Sequence, residues 1–160
     1  MQEATKGTAT FLVGIGNSGR RDDGLGWAFL DEAVASGAFD GPVEYRYQLQ
    51  VEDAAMIRAA RSVIFVDASR RKLPGGFRLS DCAPSGNFRY TSHDLPPEAV
   101  LHICRELCGR VPPAKLMEIE GLDWGLGEGL SREAQQNLDK ALQCFSAKGL
   151  GSREPETGNR

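Results

Sequence analysis

The chain has 160 residues, 26% of them charged and 41% hydrophobic, with a formal net charge of −3. That is the length of one domain with enough apolar material for a core. The acidic balance argues against nucleic-acid binding, which needs a basic surface to displace counterions. The polar start Met1-Gln2-Glu3-Ala4-Thr5-Lys6 lacks a signal-peptide core, and no apolar run approaches membrane-spanning length. A cytoplasmic protein without membrane contact is expected, with a single domain over 1–150 and a flexible polar tail over 151–160.

The first element is also the most informative. Residues 10–26 read Thr-Phe-Leu-Val-Gly-Ile-Gly-Asn-Ser-Gly-Arg-Arg-Asp-Asp-Gly-Leu-Gly. A short apolar run ending at glycine reads as a buried strand. Asp22 and Asp23 then stand where a helix begins, a place that favours carboxylates. Three readings of this stretch are open. It is a capped helix after a tight turn, or a loop that presents Asp22 or Asp23 as a ligand or catalytic carboxylate. Or Gly14, Gly16 and Gly19 form the G-x-G-x-x-G of a dinucleotide module. The last is disfavoured by two aspartates where a pyrophosphate would lie, and by the absence of an apolar helical face before Leu25.

Leu25, Phe29, Leu30, Ala33 and Val34 recur at helical spacing, with Gly37 as the stop. Residues 43–48 alternate and read as a half-buried strand, followed by a loop and short helix to residue 60. Residues 62–66 form a continuous apolar run, the mark of a strand buried on both faces, and it ends at Asp67. Arg70-Arg71-Lys72 is a solvated loop, Pro74-Gly75-Gly76 a turn, and residues 77–79 begin a weaker strand. A helix follows Pro96-Pro97, with Val100, Ile103, Cys104 and Leu107 on one face and Gly109 as its stop. Residues 115–120 read as another strand and 121–129 as a glycine-rich loop. Ser131 caps a last helix carrying Ala134, Leu138, Ala141, Leu142 and Phe145.

Strand and helix alternate, so the fold class is α/β: three layers, with a mostly parallel twisted sheet of about five strands and helices on both faces. In such a sheet the carboxyl ends of the parallel strands share one edge, where ligands bind. Asp22 and Asp23 follow the first strand, Asp67 ends the third, and His93 precedes the helix after the fourth. The topology can therefore bring them together. Cys82, Cys104, Cys108 and Cys144 form no C-x-x-C pair. Although His102 lies beside two of them, they fall on an apolar stripe and read as buried structural thiols.

Taken together, Gly14-Ile15-Gly16-Asn17, Asp22-Asp23-Gly24-Leu25-Gly26, Val66-Asp67-Ala68, Ser92-His93 and the late loop from Gly125 to Ser131 resemble the hydrogenase maturation proteases. That family trims the C-terminus of nickel–iron hydrogenase large subunits. The resemblance implies an endopeptidase acting on the large-subunit precursor. Asp23, Asp67 and His93 would be its metal-binding and catalytic set, and Gly14, Gly16 and Asn17 would shape the loop that aims Asp23. The implied metal is nickel carried by the substrate, with zinc as another divalent option; imidazole and carboxylates suit both. Asp22 is then the helix cap. A monomer is expected. Two departures stand out. Gln48-Leu49-Gln50-Val51-Glu52-Asp53 replaces an Asp-Gly-Gly-Thr type sequence and resembles a subset serving soluble, cofactor-reducing hydrogenases. Arg20-Arg21 replaces a more apolar loop, which makes the rim of the site more basic. A non-catalytic metal-binding maturation partner would carry the same residues.

Overall fold

The computed structural model describes residues 7, 9–87 and 94–151. Five strands form one sheet in the order β2-β1-β3-β5-β4. They are β1 (Thr10–Ile15), β2 (Val43–Arg46), β3 (Ser62–Ser69), β4 (Phe77–Cys82) and β5 (Ala114–Glu120). Neighbouring strands run parallel except β4, which lies antiparallel to β5 at one edge. The helices are α1 (Leu25–Ala35), α2 (Asp53–Ile57), α3 (Pro97–Cys108) and α4 (Arg132–Ala147). This is the α/β class expected. The third strand, however, runs two residues past Asp67, because Ala68 and Ser69 stay in register with Ile119 and Glu120 of β5.

The period of two along each strand divides the core. Leu12, Ile64, Val66, Met117 and Ile119 face α1 and α4, where Phe29, Leu30, Leu138 and Phe145 are fully buried. Val13, Val63 and Phe65 face α2 and α3, where they meet Ile57, Val100, Leu101 and Cys104. Phe29 and Phe145 pack edge to face at 5.3 Å between centroids, joining the first and last helices. Such a pair adds about 0.5–1.5 kcal/mol beyond the area it buries.

Two residues of the expected helical stripes lie outside the core. Val34 and Leu107 are exposed, since each sits at the border of its apolar arc, one residue from the helix end. Gly109 does close α3 in the left-handed conformation, and the Ser131 hydroxyl oxygen caps α4 by accepting from the Ala134 amide. Cys82 and Cys104 are buried, and burial pushes their thiols up to about 12 and about 11. They stay protonated at neutral pH, as structural thiols do. Among the described residues no helix is long and apolar enough to cross a membrane.

Candidate active site at the carboxyl edge of the sheet

Helix α1 approaches the ends of β1 and β3 very closely. A Cβ on Gly26 would lie 2.5 Å from the Ile15 carbonyl oxygen and 2.6 Å from that of Val66. One on Gly14 would lie 2.8 Å from the Gly26 carbonyl oxygen and 3.0 Å from Leu30. Gly14 is therefore consumed by helix–sheet packing. Gly16 has φ +144°, and a side chain there would strike the Asp23 carbonyl. The loop between is closed on itself. The Asn17 amide donates to the Asp23 carbonyl at 3.0 Å, the Asp23 amide to the Arg20 carbonyl at 3.1 Å, and the Gly19 amide to Asn17 Oδ1 at 2.9 Å. A single 3-10 turn, Arg21–Gly24, leads into α1. The helix starts at Leu25, well beyond the glycines, so Gly14, Gly16 and Gly19 do not offer its N-terminus to a pyrophosphate.

Asp23 leaves this loop half-buried. Burial raises its carboxyl above the ordinary value, while the charges of Arg70 and Arg20 and the Asn17 amide pull it back. Asp67 follows Val63 and Phe65 on the α2/α3 side of the sheet, in register with Glu118 of β5. Burial pushes its carboxyl up to about 7. An Ala68 amide opposes this, and the charges of Asp23, Glu118 and Asp94 add to it. The structure thus brings Asp23 and Asp67 into one electrostatic environment. His93 lies outside the described residues, which resume at Asp94. Among the described residues no group of three His, Cys, Asp or Glu side chains is arranged to hold a metal ion.

Asp22 does not cap α1, and this corrects the sequence reading. The cap position is Gly24, which makes no side-chain bond. Asp22 is fully buried, and its carboxylate turns away to the late loop. Oδ2 accepts from the Leu122 and Asp123 amides at 2.8 Å each and from the Ser131 hydroxyl at 2.7 Å. Oδ1 accepts from the Ser131 amide at 2.7 Å. Burial alone would raise this carboxyl, but the four bonds outweigh it and hold it below its ordinary value. Further bonds tie the same two loops together. The Arg21 amide donates to the Gly127 carbonyl, the Gly127 amide to the Gly19 carbonyl, and Arg21 Nη1 to the Glu128 carbonyl at 3.0 Å.

The late loop borders the carboxylates. Its Trp124 ring lies under the Arg70 guanidinium, 4.3 Å from carbon to centroid, while Leu122 and Leu126 are exposed. On the opposite flank the segment after β2 is fastened by two buried residues. Leu49 bridges to Leu95, and the Asp53 carboxylate accepts from the Gln50 amide at 2.8 Å and from Arg46 Nε at 2.9 Å. Tyr47, Gln48, Gln50, Val51 and Glu52 are left on the surface.

No protein-family model matches the chain, and no curated protein matches it in sequence. Solved structures do match in fold. The hydrogenase maturating endopeptidase HybD from E. coli aligns with a TM-score of 0.68 at 17% identity, covering 88% of this chain and 91% of that one. The NiFe hydrogenase maturation protease HycI from Thermococcus kodakarensis KOD1 gives 0.63 at 21%, covering 88% and 91%. A hydrogenase 2 maturation peptidase from a thaumarchaeote gives 0.63 at 22%, covering 89% and 99%. This is the hydrogenase maturation protease fold.

Sequence reading missed Asp94 and Glu118 as charges on Asp67, and Trp124 as the support of Arg70. The alternation of β5 does put Glu118 on the same face as Leu116, so that one was accessible from the pattern. The Arg70–Trp124 contact spans two loops and has no local signature.

Proposed function

We propose that the protein is an endopeptidase that removes a C-terminal extension from the precursor of a nickel–iron hydrogenase large subunit, working as a monomer in the cytoplasm. The observation that carries this reading is the pairing of Asp23 with Asp67 at the carboxyl edge of the sheet, inside the fold of proteins described as hydrogenase maturation proteases. A carboxylate whose proton affinity is raised by burial and by a neighbouring carboxylate, as that of Asp67 is by Asp23, is relieved by a divalent cation. Nickel arrives with the substrate. Asp23, Asp67 and His93 supply three hard or borderline donors, leaving open positions for groups of the precursor. His93 is supported by its place in the sequence next to Asp94, whose charge acts on Asp67.

Two ways of cutting are compatible with these residues. A metal held by Asp23, Asp67 and His93 would supply Lewis-acid polarisation of the scissile carbonyl, or nickel would be only the tag while a carboxylate takes the proton from the attacking water. Asp67 is suited to the second role, because a base works best when it titrates near the operating pH, and its carboxyl stands at about 7. The dinucleotide reading has little support, since Gly14 and Gly16 are spent on internal packing.

The test is processing of the precursor followed by gel shift. Nickel-loaded precursor is cut and nickel-free precursor is not. His93→Gln weakens processing, and so does acid, as carboxylates and imidazole take up protons that compete with the metal. Binding of the loaded precursor without any cleavage would identify a non-catalytic maturation partner instead.

A further inference from the structure

Two arginine pairs, Arg20-Arg21 and Arg70-Arg71, border the carboxylates, and each pair is divided in the same way. Arg21 bonds the Glu128 carbonyl at 3.0 Å, and Arg71 bonds Glu118 at 3.1 Å. Those two are spent on the fold. Arg20 and Arg70 make no side-chain hydrogen bond or ion pair among the described residues, yet both charges act on Asp23. Both are exposed. Both are anchored to the late loop: Arg20 through its backbone bridge to Gly127, which fixes where its side chain starts, and Arg70 through its guanidinium, which is stacked on Trp124. Trp124 and Gly127 belong to the late loop that Asp22 pins in place.

Stacking an arginine on an indole fixes the guanidinium plane while its N–H edges remain available as a fork. Such a fork matches a carboxylate. Asp23 supplies the countercharge at present. When a cation takes up Asp23, as the proposed function requires, Arg20 and Arg70 lose that countercharge, and an anion is needed in its place. We infer that Arg20 and Arg70 form a carboxylate-binding clamp that anchors an acidic group of the polypeptide substrate beside the metal-binding carboxylates. The inference rests on the reading of this edge as a polypeptide-processing site. The carboxylate comes from an Asp or Glu side chain near the scissile bond or from the α-carboxylate of the extension, and both are the same chemistry to the clamp.

The experiment measures binding apart from cleavage. Short fluorescein-labelled alanine–serine peptides carry a central Glu or Gln and a free or amidated C-terminus, and their affinities are read by anisotropy with nickel chloride present. The wild-type chain should prefer the carboxylate-bearing peptide by about tenfold, the scale of one charge-assisted fork. Loss of preference on Glu→Gln assigns the side chain, and loss on amidation assigns the terminus. Arg20→Gln with Arg70→Gln should reduce the preference to about twofold or less, and Trp124→Leu should weaken it with Arg70 intact. With precursor, the double variant should raise KM about tenfold at nearly constant kcat, since the clamp binds ground and transition states alike. Equal affinity for all four peptides, or an undiminished preference in the double variant, overturns the clamp. If wild type never cleaves precursor yet shows the peptide preference, the proposed function fails and the clamp stands. If cleavage is intact and the arginine variants change nothing, the clamp alone fails.

Discussion

Asp22 is fully buried and Asp67 partly buried at the same edge of the sheet, and their charges are managed in opposite ways. Asp22 receives four hydrogen bonds and is held below its ordinary value. Asp67 receives one amide, faces three other carboxylates, and is pushed up to about 7. A buried carboxylate given all its donors is a fastener. A partly buried carboxylate denied them is kept ready for a proton or a cation. Sequence neighbours are separated by the same logic. Asp22 turns inward to fasten the loop, and Asp23 points to the site that the fastened loop frames.

The sharpest way to break this contrast is to remove charge from each member in turn. Asp23→Asn and Asp67→Asn should lower precursor processing by more than the roughly 100-fold typical of losing an outer partner of a metal ligand, with folding retained by circular dichroism. If Asp67→Asn cuts normally, Asp67 is no part of the site.

The next largest effect belongs to Asp22. Asp22→Ala leaves three part-buried amides and a hydroxyl without the buried carboxylate that accepts from them, and should cost about 3–5 kcal/mol of stability, read from urea melts. Hydrogen exchange at residues 122–131 should rise with it. A cost below about 1 kcal/mol would mean that water replaces the carboxylate and the fastener is dispensable.

A smaller effect sharpens the comparison through pH. The Asp67 carboxyl is raised on folding, so between its ordinary value of 3.8 and about 7 the folded chain holds a proton that the unfolded chain has lost. Its contribution is therefore full below that window, falls as pH rises through it, and is a penalty of a few kcal/mol at most above it. Asp67→Asn should then melt higher than wild type at about pH 8, with the gain shrinking toward pH 4. Asp22 has the opposite sign. Its carboxyl is lowered on folding, so its stabilisation is present above the ordinary carboxylate range and disappears as acid protonates it. Asp22→Asn should be destabilised at about pH 8 and approach wild type only in strong acid. If the two asparagine variants shift the melting curve with the same pH dependence, the contrast is wrong.

The smallest effect is expected at the rim. Trp124→Phe keeps an aromatic face under Arg70 and should change stability by no more than about 1 kcal/mol, checked by thermal melt.

The sheet and its four helices were legible because their signals are local. Alternating and continuous apolar runs mark the strands, and glycine or serine marks the helix ends. Asp67 was legible for the same reason, as a carboxylate following a run too apolar to tolerate one. The role of Asp22 was not. Nothing within its own turn distinguishes it from Asp23, and its donors come from 100 to 109 residues later in the chain. The antiparallel course of β4 was equally hidden. Residues 77–82 carry the composition of an edge strand but no mark of direction. His93 falls outside the described residues, and its part in the site is the point that precursor processing must test.

The reach of the Asp22 carboxylate has a consequence for synthesis. A ribosome delivers residues 10–24 long before residues 122–131, so for most of translation the Asp22 carboxylate lacks the late-loop donors it fastens to. Contacts this distant along the chain are the slow ones to form. A nascent chain released before the late loop would carry Asp23 on an unfastened turn and Arg70 without its indole. This edge of the sheet is thus completed late, and a chain cut short before residue 122 lacks the loop that fastens it, although that loop lies far from it in the sequence.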